Sequence, residues 1–108
     1  MIDPDFRARW VEALRSGRYT PCMFHLRFEG CHCAVGVACD ISGRGRWVAG
    51  TGGAFDYIVT YEVGDSDDPE PLMAEMGISS EQLEVITGMN DCDQVSFAAI
   101  ADYIEANL

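Results

Sequence analysis

The stretch Cys31-His32-Cys33-Ala34-Val35-Gly36-Val37-Ala38-Cys39-Asp40-Ile41 is apolar on nearly every side and is built mostly of small residues. Such a segment has almost no face to offer water, so it belongs inside the molecule. Periodicity does not separate helix from strand in a run of this kind. Small side chains let a helix sit deep against a sheet, and Gly43 supplies a stop, so the run predicts a short buried helix over 33–41. The rest of the chain must enclose it.

The material for enclosure lies on both sides. Asp3-Pro4 reads as an N-cap followed by proline at the first helical position, and Gly17 ends the element. Between them Phe6, Trp10, Ala13 and Leu14 recur on one helical face, leaving Arg7, Arg9 and Arg15 outside it. Met23 to Phe28 alternates, with Phe24, Leu26 and Phe28 on one side, which predicts a strand closed by Glu29-Gly30. Arg46 to Ala49 and Phe55 to Val63 predict two further strands, joined by the turn Gly50-Thr51-Gly52-Gly53. Gly64 to Pro71 is an acidic loop. Beyond it come a short helix over 72–76 and a helix introduced by the capping box of Ser79 and Gln82 that carries Leu83 and Ile86. Asn90 to Asp93 read as a turn into a last helix capped by Ser96, with an apolar stripe of Phe97, Ile100, Ala101, Ile104 and Leu108.

The expectation is therefore one α+β domain over residues 1–108. A small antiparallel sheet of about three strands packs with an N-terminal helix, a short buried helix and a C-terminal helical segment. A chain of 108 residues with 48% hydrophobic residues is large enough for one core, and is expected to fold alone or as a small oligomer. No apolar run approaches the roughly 18 residues that span a bilayer, and the first residues carry no basic leader, so a cytoplasmic, membrane-free setting is expected. Five cysteines in a reducing compartment are read as thiols.

Charge is distributed unevenly. Residues 1–46 hold all seven arginines and five acids, a net of +2, whereas residues 47–108 hold thirteen acids and no basic residue, a net of −13. Such a half repels nucleic-acid phosphates and attracts a basic protein. Asp65, Asp67, Asp68 and Glu70 are the densest acidic stretch and the candidate partner-binding residues.

Three other groupings bear on chemistry. Cys22-x-x-His25 with Cys31-x-Cys33 has the donor types of a tetrahedral zinc site. Cys33, at the start of a helix, is also a candidate nucleophile whose pKa the helix end would lower, with His25 as its base. The loop Ser42-Gly43-Arg44-Gly45-Arg46, with Thr51 nearby, offers amides and guanidinium groups (Arg44, Arg46) to an anion or nucleotide, although it lacks the lysine of a phosphate-binding Walker loop. Asn90 to Asp93 with Asp102 only faintly echoes a calcium loop, since Val95 stands where a ligand is needed. Neither metal nor cofactor is required by any complete motif.

Three segments taken together resemble a widespread group of small uncharacterised proteins of phages and prophages. They are Trp10-Val11-Glu12-Ala13-Leu14-Arg15-Ser16-Gly17-Arg18-Tyr19, Cys33-Ala34-Val35-Gly36-Val37-Ala38-Cys39-Asp40, and Ser96-Phe97-Ala98-Ala99-Ile100-Ala101-Asp102-Tyr103-Ile104-Glu105. They follow the group's patterns W-x-x-A-L-x-S-G-x-Y, C-C-L-G-V-x-C-D and S-F-x-x-I-A-D-x-I-E, departing at Ala34, where a second cysteine is usual, and at Val35, where the pattern has leucine. The resemblance implies a phage accessory protein acting inside a bacterial host cell. Small phage proteins without catalytic motifs often bind and block host machinery, including immune systems.

The leading expectation is thus a non-enzymatic protein that antagonises a host factor through its acidic half, the partner being a basic nucleic-acid-handling or defence protein. The alternatives are a sponge for a nucleotide signal at the arginine and glycine loops, and a thiol-dependent enzyme or zinc protein centred on Cys33 and His25.

Overall fold

A computed structural model of the chain describes residues 2–22, 26–28, 30–49, 58–64, 68–91 and 95–108. The fold is α+β, with helices α1 (Pro4–Arg15), α2 (Ala34–Ser42), α3 (Glu70–Glu75), α4 (Ser80–Asp91) and α5 (Phe97–Asn107). The strands are β1 (Thr20–Pro21), β2 (Arg27–Phe28), β3 (Cys31–His32), β4 (Arg46–Ala49) and β5 (Ile58–Glu62), ordered β1-β3-β2-β5-β4 in one sheet.

The helices begin where local chemistry says they should. Asp3 caps α1 by accepting from Phe6 N–H at 3.2 Å, and Ser96 caps α5 by accepting from Ala99 N–H at 3.2 Å. Ser79 and Gln82 form the reciprocal capping box, each accepting the other's N–H. Helix α2 starts at Cys33 and ends on Gly43 with φ 65°, the left-handed region that glycine enters without steric cost.

The core is chiefly the meeting place of α1, α2, α4 and α5. Phe6, Trp10, Ala13 and Leu14 are buried on α1 and meet the buried Phe97, Ile100, Ala101 and Ile104 stripe of α5. Helix α2 lies between α1, α4 and β3, and Ala34 to Cys39 are all buried, as a helix without a polar face requires. Its contact with the sheet side is close at one point. A Cβ on Gly36 would lie 1.9 Å from the carbonyl oxygen of Leu26, so only glycine fits there.

The arginines left outside the α1 stripe tie the helix to its neighbours. Arg7 donates to the carbonyl of Leu108 and Arg9 to that of Ile41, while Arg15 pairs with Asp102 and Glu105 of α5.

The sheet departs from expectation in two respects. Among the described residues it has five strands where about three were expected, and β1 pairs with β3 in parallel, Thr20 opposite Cys31 and Pro21 opposite His32. The remaining pairs, β2 with β3, β2 with β5 and β4 with β5, are antiparallel. Of the strand expected over 23–28, only Arg27–Phe28 is a strand among the described residues; residues 23–25 lie outside them, as do residues 50–57 at the expected hairpin turn. Asn90 and Asp91, expected in a turn, complete α4 instead. No helix among the described residues is long and apolar enough to cross a membrane.

Candidate functional site

Helix α2 organises the polar groups of the interior, and each of its ends is the centre of a cluster. At the N-terminal end the Cys33 sulfur accepts from Gly36 N–H at 3.3 Å, doing what serine or aspartate does at most helix starts. Asn90, 6% exposed, reaches across from α4: its Oδ1 accepts from Ala34 N–H at 3.0 Å and its Nδ2 donates to the Cys22 carbonyl at 2.9 Å and to Asp91 Oδ1 at 2.8 Å. From α1, Trp10 Nε1 donates to the Ala34 carbonyl at 3.0 Å. One asparagine thus satisfies an orphan helix amide and a strand-end carbonyl at once.

This geometry corrects the reading of Cys33 as an activated thiol. Burial pushes its pKa up, and the backbone amides of Gly36 and Val35, which favour the thiolate, do not compensate; the Asp91 carboxylate raises it further. Cys39, deeper in α2, is pushed up to about 12 by burial, with Cys33 and Asp40 adding to the effect. Both are protonated near neutral pH. His25, the proposed base, lies outside the described residues.

Cys22 follows β1, and its N–H donates to the His32 carbonyl at 3.0 Å, extending the parallel pairing toward Cys33. The sequence-predicted set Cys22, Cys31 and Cys33 is therefore gathered at the β1–β3 edge. Among the described residues, however, no group of three or more His, Cys, Asp or Glu side chains is placed to hold a metal ion. Asp102, the far end of the calcium echo, is instead paired with Arg15.

At the C-terminal end of α2 the cluster is aromatic. Each oxygen of Asp40 accepts one bond, Oδ2 from the Tyr19 hydroxyl at 2.5 Å and Oδ1 from Trp47 Nε1 at 2.9 Å. Between those rings stands His32, 9% exposed, with its edge contacts to Tyr19 at 5.0 Å and Trp47 at 5.5 Å between centroids. Tyr61, opposite Trp47 in the β4–β5 register, continues the row at 4.9 Å, and the Arg27 guanidinium lies 5.6 Å from the Trp47 ring centre.

The electrostatics of this end follow from burial and contact. Burial lowers the His32 pKa, and Arg27 acts in the same direction while Asp40 opposes it. Burial alone would raise Asp40, but the bonds from Tyr19 and Trp47, with the charges of His32 and Arg27, bring it below the ordinary carboxylate value. Tyr19 is pushed up to about 12 by burial and by its bond to Asp40. His32 Nδ1 is buried and has no hydrogen-bond partner among the described residues.

The loop after α2 is already engaged within the chain. Arg44 N–H donates to Ser42 Oγ and Gly45 N–H to the Tyr61 hydroxyl at 2.7 Å, so these amides are turned inward and do not form an anion cradle. The Arg44 guanidinium stands 3.5 Å from Glu75, and that of Arg46 stands 3.6 Å from Glu62. Thr51 lies outside the described residues.

Asp65 and Asp67 of the acidic stretch also lie outside them. Asp68 accepts from Glu70 N–H and so belongs to the start of α3, and Glu70 accepts from Ser80 Oγ at 2.8 Å, joining the starts of α3 and α4. Glu70, Glu75, Glu81 and Glu84 are all exposed on these two helices.

Sequence reasoning missed Tyr19 and Asp40, and it noticed His32 only within the cysteine and histidine cluster and Asn90 only within a faint calcium-loop echo, not in the roles the structure gives them. For Asn90 there was a usable signal: it lies four residues after the core residue Ile86, a polar side chain on an otherwise apolar helical face. For the aromatic row there was none, because it is assembled from a loop, β3, α2 and β4.

No curated protein and no solved structure matches the chain. A family model, that of a domain of unknown function designated DUF8296, matches residues 2–73, from the approach to α1 into α3 and so including both ends of α2. The chain belongs to the DUF8296 family.

Proposed function

We propose that the chain is a non-enzymatic binding protein that docks a basic partner protein through the acidic surface of α3 and α4, acting as a phage-type antagonist of a host factor. The observation that carries this reading is electrostatic. The exposed carboxylates of Glu70, Glu75, Glu81 and Glu84 stand in a half of the chain that contains no basic residue, and Arg44 is the arginine paired with one of them. A surface of this kind speeds encounter with a basic groove and discriminates against acidic partners. The resemblance to small phage and prophage proteins supplies the setting, a bacterial cell, and a nucleic-acid-handling or defence protein is the class of partner whose basic surface fits.

The reading is tested by capturing partners from a bacterial lysate with the tagged protein and measuring the purified pair at rising salt. Affinity falls steeply from about 0.1 M to about 1 M salt, as the screening length shrinks from about 10 to about 3 Å. The double reversal Glu81→Arg with Glu84→Arg, at exposed positions, weakens binding while leaving the melting temperature near that of the parent. Binding that ignores both salt and charge reversal overturns the reading.

A further inference from the structure

We propose that the cleft between the N-terminal end of α2 and the face of α4 is a binding site for a small primary amine carried on an apolar body, such as an arylalkylamine. The cavity is about 230 Å³, and Leu26, Val35, Pro69 and Leu83 form its apolar walls. An apolar protein cavity of about 150 Å³ accommodates benzene, so this one has room for a ring and a short arm.

The cleft is polarised along α4. Leu83, Thr87 and Asp91 line it at i, i+4 and i+8, one helical face about 12 Å long at about 1.5 Å per residue. The starts of α3 and α4 are joined through Glu70 and Ser80, which places Pro69 toward the Leu83 end. Cys33 is toward the other end, where Asn90 bridges Ala34 of α2 and the Asp91 carboxylate. A ligand lying along this face meets hydrocarbon first and a carboxylate last.

Three features select a cation for the polar end. Asp91 supplies a formal negative charge, oriented by the 2.8 Å bond from Asn90 Nδ2. The same end is the C-terminus of α4, whose dipole also favours positive charge. The α2 amides that would draw an anion are turned to other acceptors, Ala34 N–H to Asn90 and Gly36 N–H to the Cys33 sulfur. No arginine lines the cleft among the described residues, and the chain's net charge of −11 concentrates cations near it. Cys33, its pKa raised by burial, faces the amine as a neutral thiol and takes no covalent part.

The test is titration of the purified protein with 2-phenylethylamine, alongside phenylacetate and 2-phenylethanol, by calorimetry and backbone amide NMR. It needs no partner protein, so its outcome is independent of the acidic-surface reading. The amine saturates with a dissociation constant of about 1 mM or tighter, and the largest shifts fall on Leu83, Thr87 and Asp91. Phenylacetate does not saturate, and the alcohol binds at least about tenfold more weakly, since it lacks the charge-assisted bond. Asp91→Asn lowers amine affinity about tenfold, and Thr87→Trp, at an exposed position on the rim, blocks the cleft should the first variant fold poorly. Absence of saturation by the amine, equal binding of all three compounds, or shifts centred elsewhere overturns the proposal.

Discussion

The two ends of α2 are fixed by opposite means. At the N-terminal end the groups that bond to the helix itself are neutral and buried: a thiol, a carboxamide and an indole N–H, closed by a glycine contact that leaves no space for a methyl group. At the C-terminal end an exposed carboxylate holds two aromatic donors, with an imidazole packed between their rings. The first end depends on shape and on complete hydrogen bonding, and is insensitive to pH near neutrality. The second depends on charge states, and responds to acid. Substitutions at each end can therefore be ranked.

The largest effect is expected where shape alone decides. Gly36→Ala places a Cβ 1.9 Å from Leu26 O, a backbone atom that cannot rotate away. Relief requires β2 and its approach to move off α2, which also strains the 3.2 Å bond from Cys33 N–H to the Leu26 carbonyl. A loss of about 3 kcal/mol or more follows, read as a lowered urea midpoint. A loss under about 1 kcal/mol would mean that the two elements separate freely, and the contrast between the ends would collapse.

Next comes the carboxamide. Asn90→Leu retains volume but leaves the buried Ala34 N–H unsatisfied and removes the bond to the Cys22 carbonyl, at a cost of about 2–3 kcal/mol. The loss is expected to be flat between pH 5 and pH 8 on the scale of about 0.5 kcal/mol, because the bonds removed join a carboxamide to a backbone amide and a backbone carbonyl, none of which titrates. Denaturation of parent and variant across that range checks both the size and the flatness.

This division also marks where sequence is informative. Caps at Asp3, Ser79 and Ser96 and the stripes of α1 and α5 are local, repeating every three or four residues, and the helices follow from them. The buried helix was legible from a run of small residues that no other element could shelter in water. β1 and β3 have two residues each, too short to show an alternation, and their parallel pairing joins segments through contacts that no spacing rule encodes. The sites fared in the same way. Cys33 stood out as a residue type at a helix start, but its role depends on burial, and burial comes from α4 and α1. The arginines of the loop stood out as donors, but Tyr61 and Ser42 take the amides that would have cooperated with them.

The smallest effect is the one that separates the ends most cleanly, since it needs only acid. His32 has a pKa lowered chiefly by burial, so below its unfolded value of about 6.5 the unfolded chain binds a proton that the native state does not. Stability therefore falls as pH drops below about 6.5, with a slope from this group of at most about 1.4 kcal/mol per pH unit. Arg27 from β2 reinforces the effect and Asp40 from α2 opposes it, while Tyr19 and Trp47 contribute rings but no charge in this range. Asp40, held below the ordinary carboxylate value, adds a separate loss that begins only as pH falls past about 4. His32→Phe preserves the ring contacts and removes the buried Nδ1, so its stability at pH 8 equals or exceeds the parent's, and the decline between pH 6.5 and about 5 becomes shallower. Asp40→Asn extends the upper limb to lower pH, because it removes the charge that opposes the His32 shift, and flattens the lower one. Parallel curves for parent and His32→Phe would place the acid response elsewhere in the molecule and remove the distinction between the two ends.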